Sequence, residues 1–185
     1  MHEDSEIRRL LGDAAYGAVT ESMPGLLVAA KGFAGRQWDA SASPPGDSAE
    51  RRFGPVRVIV PRTWRPEPPD PRRLSWALPD GAKVTLEAMA GTRSTPALDS
   101  YVERRGGVTH DGFYRFGAAP LTHASGMPSF EIGESAPQAH GRPVRFVRLL
   151  RSRRAILLFT VEAAGGISDA VGAEFAAAFH SIRLG

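Results

Sequence analysis

Five histidines, at positions 2, 110, 123, 140 and 180, are the first candidates for chemistry in this chain of 185 residues. None belongs to a His-x-x-x-His or Glu-x-x-His pair, the helical spacings that let two side chains share a metal. His110-Asp111 lies in a glycine-rich stretch and could assist an open site, although a surface loop is its plainer reading. His123-Ala-Ser125 sets a hydroxyl two residues from an imidazole. A serine nucleophile also needs an orienting acid in space, and the sequence has no Gly-x-Ser-x-Gly elbow. Asp99, Glu103, Glu131 and Glu134 could form a glycosidase-like carboxylate pair, but solvated surface accounts for them as well. Gly165-Gly166 precedes a closing helix whose first amides could hold an anion, and neither phosphate-binding glycine pattern is present. The absence of cysteine excludes disulfides, thiolate catalysis and Cys-ligated metals. Neither a catalytic residue nor a cofactor nor a metal is expected. An enzyme or small-ligand binder would require a pocket where two or more of His110, Asp111, His123 and Glu131 converge.

The densest positive patch is Arg151-Ser152-Arg153-Arg154 with Arg145 and Arg148. Such a cluster could track phosphates. Against nucleic acid stand the lack of interleaved aromatics and a net charge of only +3. Lys31 and Lys83 are the only lysines, so arginine usage sets the pI of about 9.8, as a GC-rich coding sequence would. An apolar fraction of 42% and a charged fraction of 23% are those of a globular domain, which excludes wholesale disorder and a collagen repeat.

Three units can hold these residues. Over residues 1–38, Ile7, Leu10, Leu11, Ala14, Ala18 and Val19 recur at three- and four-residue steps, predicting an amphipathic helical extension. Its apolar face packs in cis or docks on a partner. Residues 39–52, poor in large apolar side chains, read as a linker. Residues 53–185 read as strands with few helices. Val56, Val58 and Val60 alternate up to Pro61. Leu74–Leu78 and Lys83–Met89 flank the turn Pro79-Asp80-Gly81 and predict a hairpin. Thr95-Pro96 opens a short helix through Arg105. Phe113–Phe116, Pro120–His123 and Ser129–Ile132 are short strand candidates. Val144–Leu150 and Ala155–Val161 form a second hairpin, whose Ile156-Leu157-Leu158-Phe159 suits a central strand covered on both faces. Ser168 or Asp169 caps a closing helix striped by Val171, Phe175, Phe179 and Ile182. This order predicts an α+β fold, an antiparallel β-sheet flanked by helices behind an N-terminal helical extension. The acidic start and the lack of a long apolar run predict no leader, no membrane span and a cytoplasmic protein.

Residues 53–185 resemble the PsbP-like superfamily, which includes DcrB-like and LpqN-like proteins and the Eag-type adaptor chaperones of type VI secretion. Val58-Ile59-Val60-Pro61-Arg62-Thr63-Trp64 looks like the family's strand ending in Pro-x-x-Trp. Thr95–Tyr101 looks like its threonine-led helix, and Ser125-Gly126-Met127-Pro128-Ser129-Phe130 like its Gly-x-Pro-Ala strand start, with Ser129 in place of alanine. Leu157–Val161 and the run from Phe175 to Ile182-Arg183 resemble its late strand and closing helix. The resemblance implies a PsbP-like α/β/α sandwich and a binding or assembly role without catalytic residues. The expected function is therefore a non-enzymatic adaptor or chaperone-like assembly factor that captures an apolar segment of a protein partner by a groove or strand edge. Such a factor would show an exposed apolar concavity or form a homodimer. Ile7, Leu10, Leu11, Ala14, Trp64, Arg151, Arg153 and Arg154 are the expected partner-binding residues.

Overall fold

Alternation sets the first strands. In a computed structural model, which describes residues 38–41, 46–90, 112–136, 139–152 and 155–185, Val56, Val58 and Val60 of β2 (Val56–Pro61) turn inward while Arg57 faces water. β2 pairs antiparallel with β1 (Ser48–Phe53) and with β10 (Arg183–Leu184), making a three-stranded sheet. Residues 48–52 are therefore not linker. Their short and charged side chains suit the outer strand of a small sheet, whose backbone is satisfied by β2 whatever its side chains. Trp38–Ser41, at the start of the expected linker, form a 3-10 turn.

The main sheet has seven antiparallel strands: β3 (Arg65–Pro66), β4 (Arg73–Ala77), β5 (Lys83–Ala90), β9 (Ala155–Ala164), β8 (Pro143–Arg151), β7 (Pro128–Ser135) and β6 (Tyr114–Thr122), in that spatial order. The β4–β5 hairpin closes as its turn residues require: Gly81 takes φ +87 and Asp80 Oδ1 accepts the Ala82 amide at 3.0 Å. In the β8–β9 turn, Ser152 Oγ accepts the Ala155 amide at 2.9 Å. β9 occupies the sheet centre, and Ile156, Leu157, Leu158 and Phe159 are all buried. The two strands expected around Phe116 and Pro120 are one, carried through Gly117 by a register shift between Arg115 and Gly117.

The closing helix α1 (Asp169–His180) begins at Ser168, whose Oγ accepts the Val171 amide at 3.3 Å. Its Val171, Phe175 and Phe179 join β2, β5, β8 and β9 in the larger core. Ile182 lies just past the helix yet is buried in the same core. Phe175 stacks on Phe159 with ring centroids 4.7 Å apart. At the helix end, Ser181 Oγ accepts the Ile59 amide at 2.8 Å and binds α1 to β2. A smaller core of Ile132, Val147, Leu149, Ile156 and Leu158 lies on the opposite face of the main sheet. The architecture is α+β, as expected. The expected N-terminal helix and the Thr95–Arg105 helix lie outside the described residues. Among the described residues no helix is long and apolar enough to cross a membrane.

Candidate functional site

β7 and β8 pair so that Glu131 stands opposite Arg148 and Glu134 opposite Arg145. The two pairs lie three residues apart along each strand, an odd step, so they project from opposite faces. Both pairs are buried: Arg148 is 2% exposed and Glu134 0%. This overturns two expectations. Glu131 and Glu134 are not solvated, and Arg145 and Arg148 do not belong to an exposed basic patch. A buried guanidinium is tolerated here because a carboxylate faces it across the ladder and its stem packs on apolar neighbours. Arg145 lies 3.8 Å over the Phe113 ring, whereas Arg148 lies 5.5 and 5.3 Å from the rings of Phe175 and Phe179.

On the helix face the pair grows into a network. Arg148 Nε donates to Glu131, and its Nη1 donates to Asp39 Oδ1 at 2.9 Å. Asp39 also accepts from His180 Nε2 at 2.8 Å, and His180 Nδ1 accepts the Ala124 amide at 3.2 Å, which fixes that ring's tautomer. His180 lies against His123, ring centroids 5.4 Å apart. His123 Nε2 donates to the Phe179 carbonyl at 2.9 Å, so Nδ1 is the acceptor for the Ser125 amide at 3.1 Å and the Ser125 hydroxyl at 2.7 Å. Burial pulls the His123 pKa down and the charges of Arg183 and Arg148 add to that, against the Phe179 hydrogen bond. The ring is thus the neutral one that this bonding needs. Burial also pushes Glu131 up, against the charge and hydrogen bond of Arg148. For Asp39 burial acts upward too, but the His180 hydrogen bond and the Arg148 charge outweigh it and hold the carboxyl at about 2. The two acids that share Arg148 are thus pushed in opposite directions.

Asp39 comes to this network beside Trp38. The indole packs edge-on against Phe146, centroids 5.0 Å apart, and covers Gly172 in the second turn of α1. A Cβ on Gly172 would lie 2.3 Å from the indole Cε2. The helix therefore accepts a glycine, which costs about 0.5–1 kcal/mol against alanine, to seat this ring. Trp38 Nε1 is buried with no hydrogen-bond partner among the described residues.

The remaining expected site residues fall as follows. Trp64 is 1% exposed, packs beside Trp76 at 6.1 Å and donates Nε1 to Glu174 at 2.9 Å. Its role is in the core, and it offers a partner no surface; an aromatic after a strand-ending proline reads alike for core and contact. Arg151 is half-buried at the β8 end. Ile7, Leu10, Leu11, Ala14, Arg153, Arg154, His110 and Asp111 lie outside the described residues, and His140 is exposed in the β7–β8 turn. His123 and Glu131, both named as candidates, belong to one network but are joined through His180, Asp39 and Arg148 and not to each other. His123 and Ser125 share the hydroxyl–imidazole bond of a nucleophile and base, yet a main-chain carbonyl stands where an orienting acid would. No group of three or more His, Asp and Glu side chains that could hold a metal occurs among the described residues. Sequence reasoning missed Trp38 and Asp39. The arginine pairs leave a trace in the sequence, since Glu131 and Glu134 have the same spacing as Arg145 and Arg148, but strand register is needed to read it.

No family model matches the sequence, and no curated protein matches it. Solved structures share the fold. Mog1p, a Ran-binding protein of Saccharomyces cerevisiae, superposes with a TM-score of 0.51 over 74% of this chain and 95% of its own, at 8% identity. The cyanobacterial PsbP of Synechocystis does so with a TM-score of 0.52, over 75% and 92%, at 11% identity. A protein from Bacteroides thetaiotaomicron reaches 0.55 over 75% of this chain and 48% of its own, at 10% identity. The fold is PsbP-like, as the resemblance implied.

Proposed function

We propose that this chain is a non-enzymatic protein-binding module, an adaptor or chaperone-like assembly factor that captures a short apolar segment of a partner. The observation that carries the reading is β6, the nine-residue strand at one border of the main sheet. Among the described residues it pairs on one side only. The opposite border, β3, has two residues and is too short to template a strand. Pro120 has no N–H to give β7, so it takes an outward position. Ala118 and Thr122 share that side, while the Leu121 carbonyl accepts Ser129 Oγ at 2.8 Å on the β7 side. Pro120 and the irregularity at Arg115 and Gly117 interrupt the edge, which guards against unlimited sheet growth. They leave the outward amides of Ala118 and Thr122, with the exposed Tyr114 ring (47%) at the strand start, for a short extended peptide. That Mog1p, of the same fold, is a Ran-binding protein supports a protein partner. Ile7, Leu10, Leu11 and Ala14 would add a second, helical contact, and Arg151, Arg153 and Arg154 an acidic one.

Proline substitution tests the edge. Ala118→Pro removes an outward N–H and no bond to β7, whereas Ala119→Pro removes a ladder bond. Affinity purification from native lysate with mass spectrometry should show Ala118→Pro losing the partner that the wild type captures, at a wild-type melting temperature. Retention of the same partner by a folded Ala118→Pro chain would reject strand capture.

A further inference from the structure

Trp38 and Asp39 fill a shaped cleft. Its floor is Phe146, its wall is Gly172, and its polar end is formed by the Arg148 guanidinium and the His180 imidazole. The cleft selects an aromatic ring followed by a carboxylate, by the space that only glycine leaves and by two donors converging on one acceptor atom. Its present occupant fits in one respect poorly, because the buried indole N–H has no acceptor among the described residues. A phenyl ring would meet the same walls without stranding a donor. Arg148, meanwhile, keeps Glu131 when Asp39 leaves, so the cleft can empty without orphaning the guanidinium.

The geometry points to a recognition site for a protein segment bearing phenylalanine followed by aspartate, which the chain's own Trp38-Asp39 occupies in cis as a competitor. The inference rests on the reading of the chain as a binding module, but its test addresses this cleft alone and leaves the β6 edge untouched. A partner that bound only through β6 would leave Trp38 in place; a partner carrying the matching pair would displace it.

The test uses the full chain labelled with 5-fluorotryptophan, whose three tryptophans give three fluorine resonances. The probe is a synthetic peptide of the 36–41 sequence with Trp38→Phe; a second peptide carries Asp39→Asn as well. Titration with the first should move the Trp38 resonance toward the solvent-exposed position and leave those of Trp64 and Trp76 unmoved, while the second should have no effect. In the Asp39→Asn chain, whose strap has lost its charge, the first peptide should bind about tenfold more tightly. If that variant does not fold, the wild-type titration decides alone. A Trp38 resonance unmoved at millimolar peptide, or an equal response to both peptides, overturns the proposal. A change that follows protein concentration without peptide would assign the cleft to a second copy's strap and overturn it equally. Loss of the partner by Ala118→Pro, read beside an unmoved Trp38, would reject this site and keep the proposed function.

Discussion

Arg148–Glu131 and Arg145–Glu134 lie three residues apart on the same two strands and on opposite faces of the sheet. Both are buried cross-strand pairs, and both arginines lie over aromatic rings. Among the described residues they differ in reach. The Arg145 ring contact, with Phe113, lies at the entrance to β6, the next strand in the sheet. Arg148 reaches Asp39, 109 residues away in sequence, and through it His180 at the end of α1. Among the described residues the same chemistry thus joins two strands on one face, and on the other anchors a segment that precedes the sheet. A buried ion pair is weak evidence for stability by itself. What distinguishes the helix face is that one guanidinium binds a strand neighbour and a removable strap at once.

The largest effects should separate the two faces themselves. Phe159 and Leu158 are neighbours on β9 that point into the larger and smaller cores. Phe159→Ala should lower unfolding free energy by about 3–5 kcal/mol, since it also removes the Phe175 stack, and Leu158→Ala by about 2–3 kcal/mol. Urea denaturation measures both, and equal losses would mean that the second face contributes as much as the first.

Next come the arginines. Arg148→Met should cost about 3–4 kcal/mol, because Glu131 is left buried beside no cation, and adding Glu131→Gln should recover most of that loss. Arg145→Met leaves the strap's partners in place, so the Trp38 fluorine resonance should move in Arg148→Met only. Movement in both would erase the distinction in reach.

Smaller effects test the strap. The Asp39 pKa is held at about 2, below its ordinary value of 3.8. Its contribution to stability is therefore full above pH 3.8 and is lost as pH falls through about 2. Asp39→Asn should cost about 2 kcal/mol at neutral pH and almost nothing near the folded-state pKa. The Glu131→Gln effect should run the other way, growing as pH falls, since burial pushes the Glu131 carboxyl up. Denaturation at several pH values distinguishes the two acids. Last, Gly172→Ala should destabilise the wild type by about 1–2 kcal/mol through the clash with Trp38. In a Trp38→Ala background the same change should stabilise by about 0.5–1 kcal/mol, the helix gain alone. An unchanged sign would detach Gly172 from the seating of Trp38.

Periodicity made most of the fold legible. Val56, Val58 and Val60, the two hairpins and the Val171–Phe175–Phe179 stripe all express a face that must be buried, and burial is what sequence patterns report. The candidate network was less legible for a matching reason. Arg148 reads as part of a positive patch because a charge on a strand usually is exposed, and its partners become visible only once register brings Glu131 opposite it. Asp39 and Ser48–Arg52 read as linker because large apolar side chains are absent there. Such composition describes a linker, the outer strand of a small sheet and a ligand to a buried guanidinium equally well. Trp64 erred in the other direction: a large aromatic draws attention as a contact, whereas its N–H finds Glu174 inside the protein.

The claim that this chain binds a protein partner through the β6 edge is tested most directly by site-specific photocrosslinking. A benzoylphenylalanine in place of Tyr114, irradiated in native lysate, should give one dominant protein adduct. The same probe at Arg72, an exposed position between β3 and β4, should not. No adduct at position 114, or the same mixture at both positions, would contradict the account.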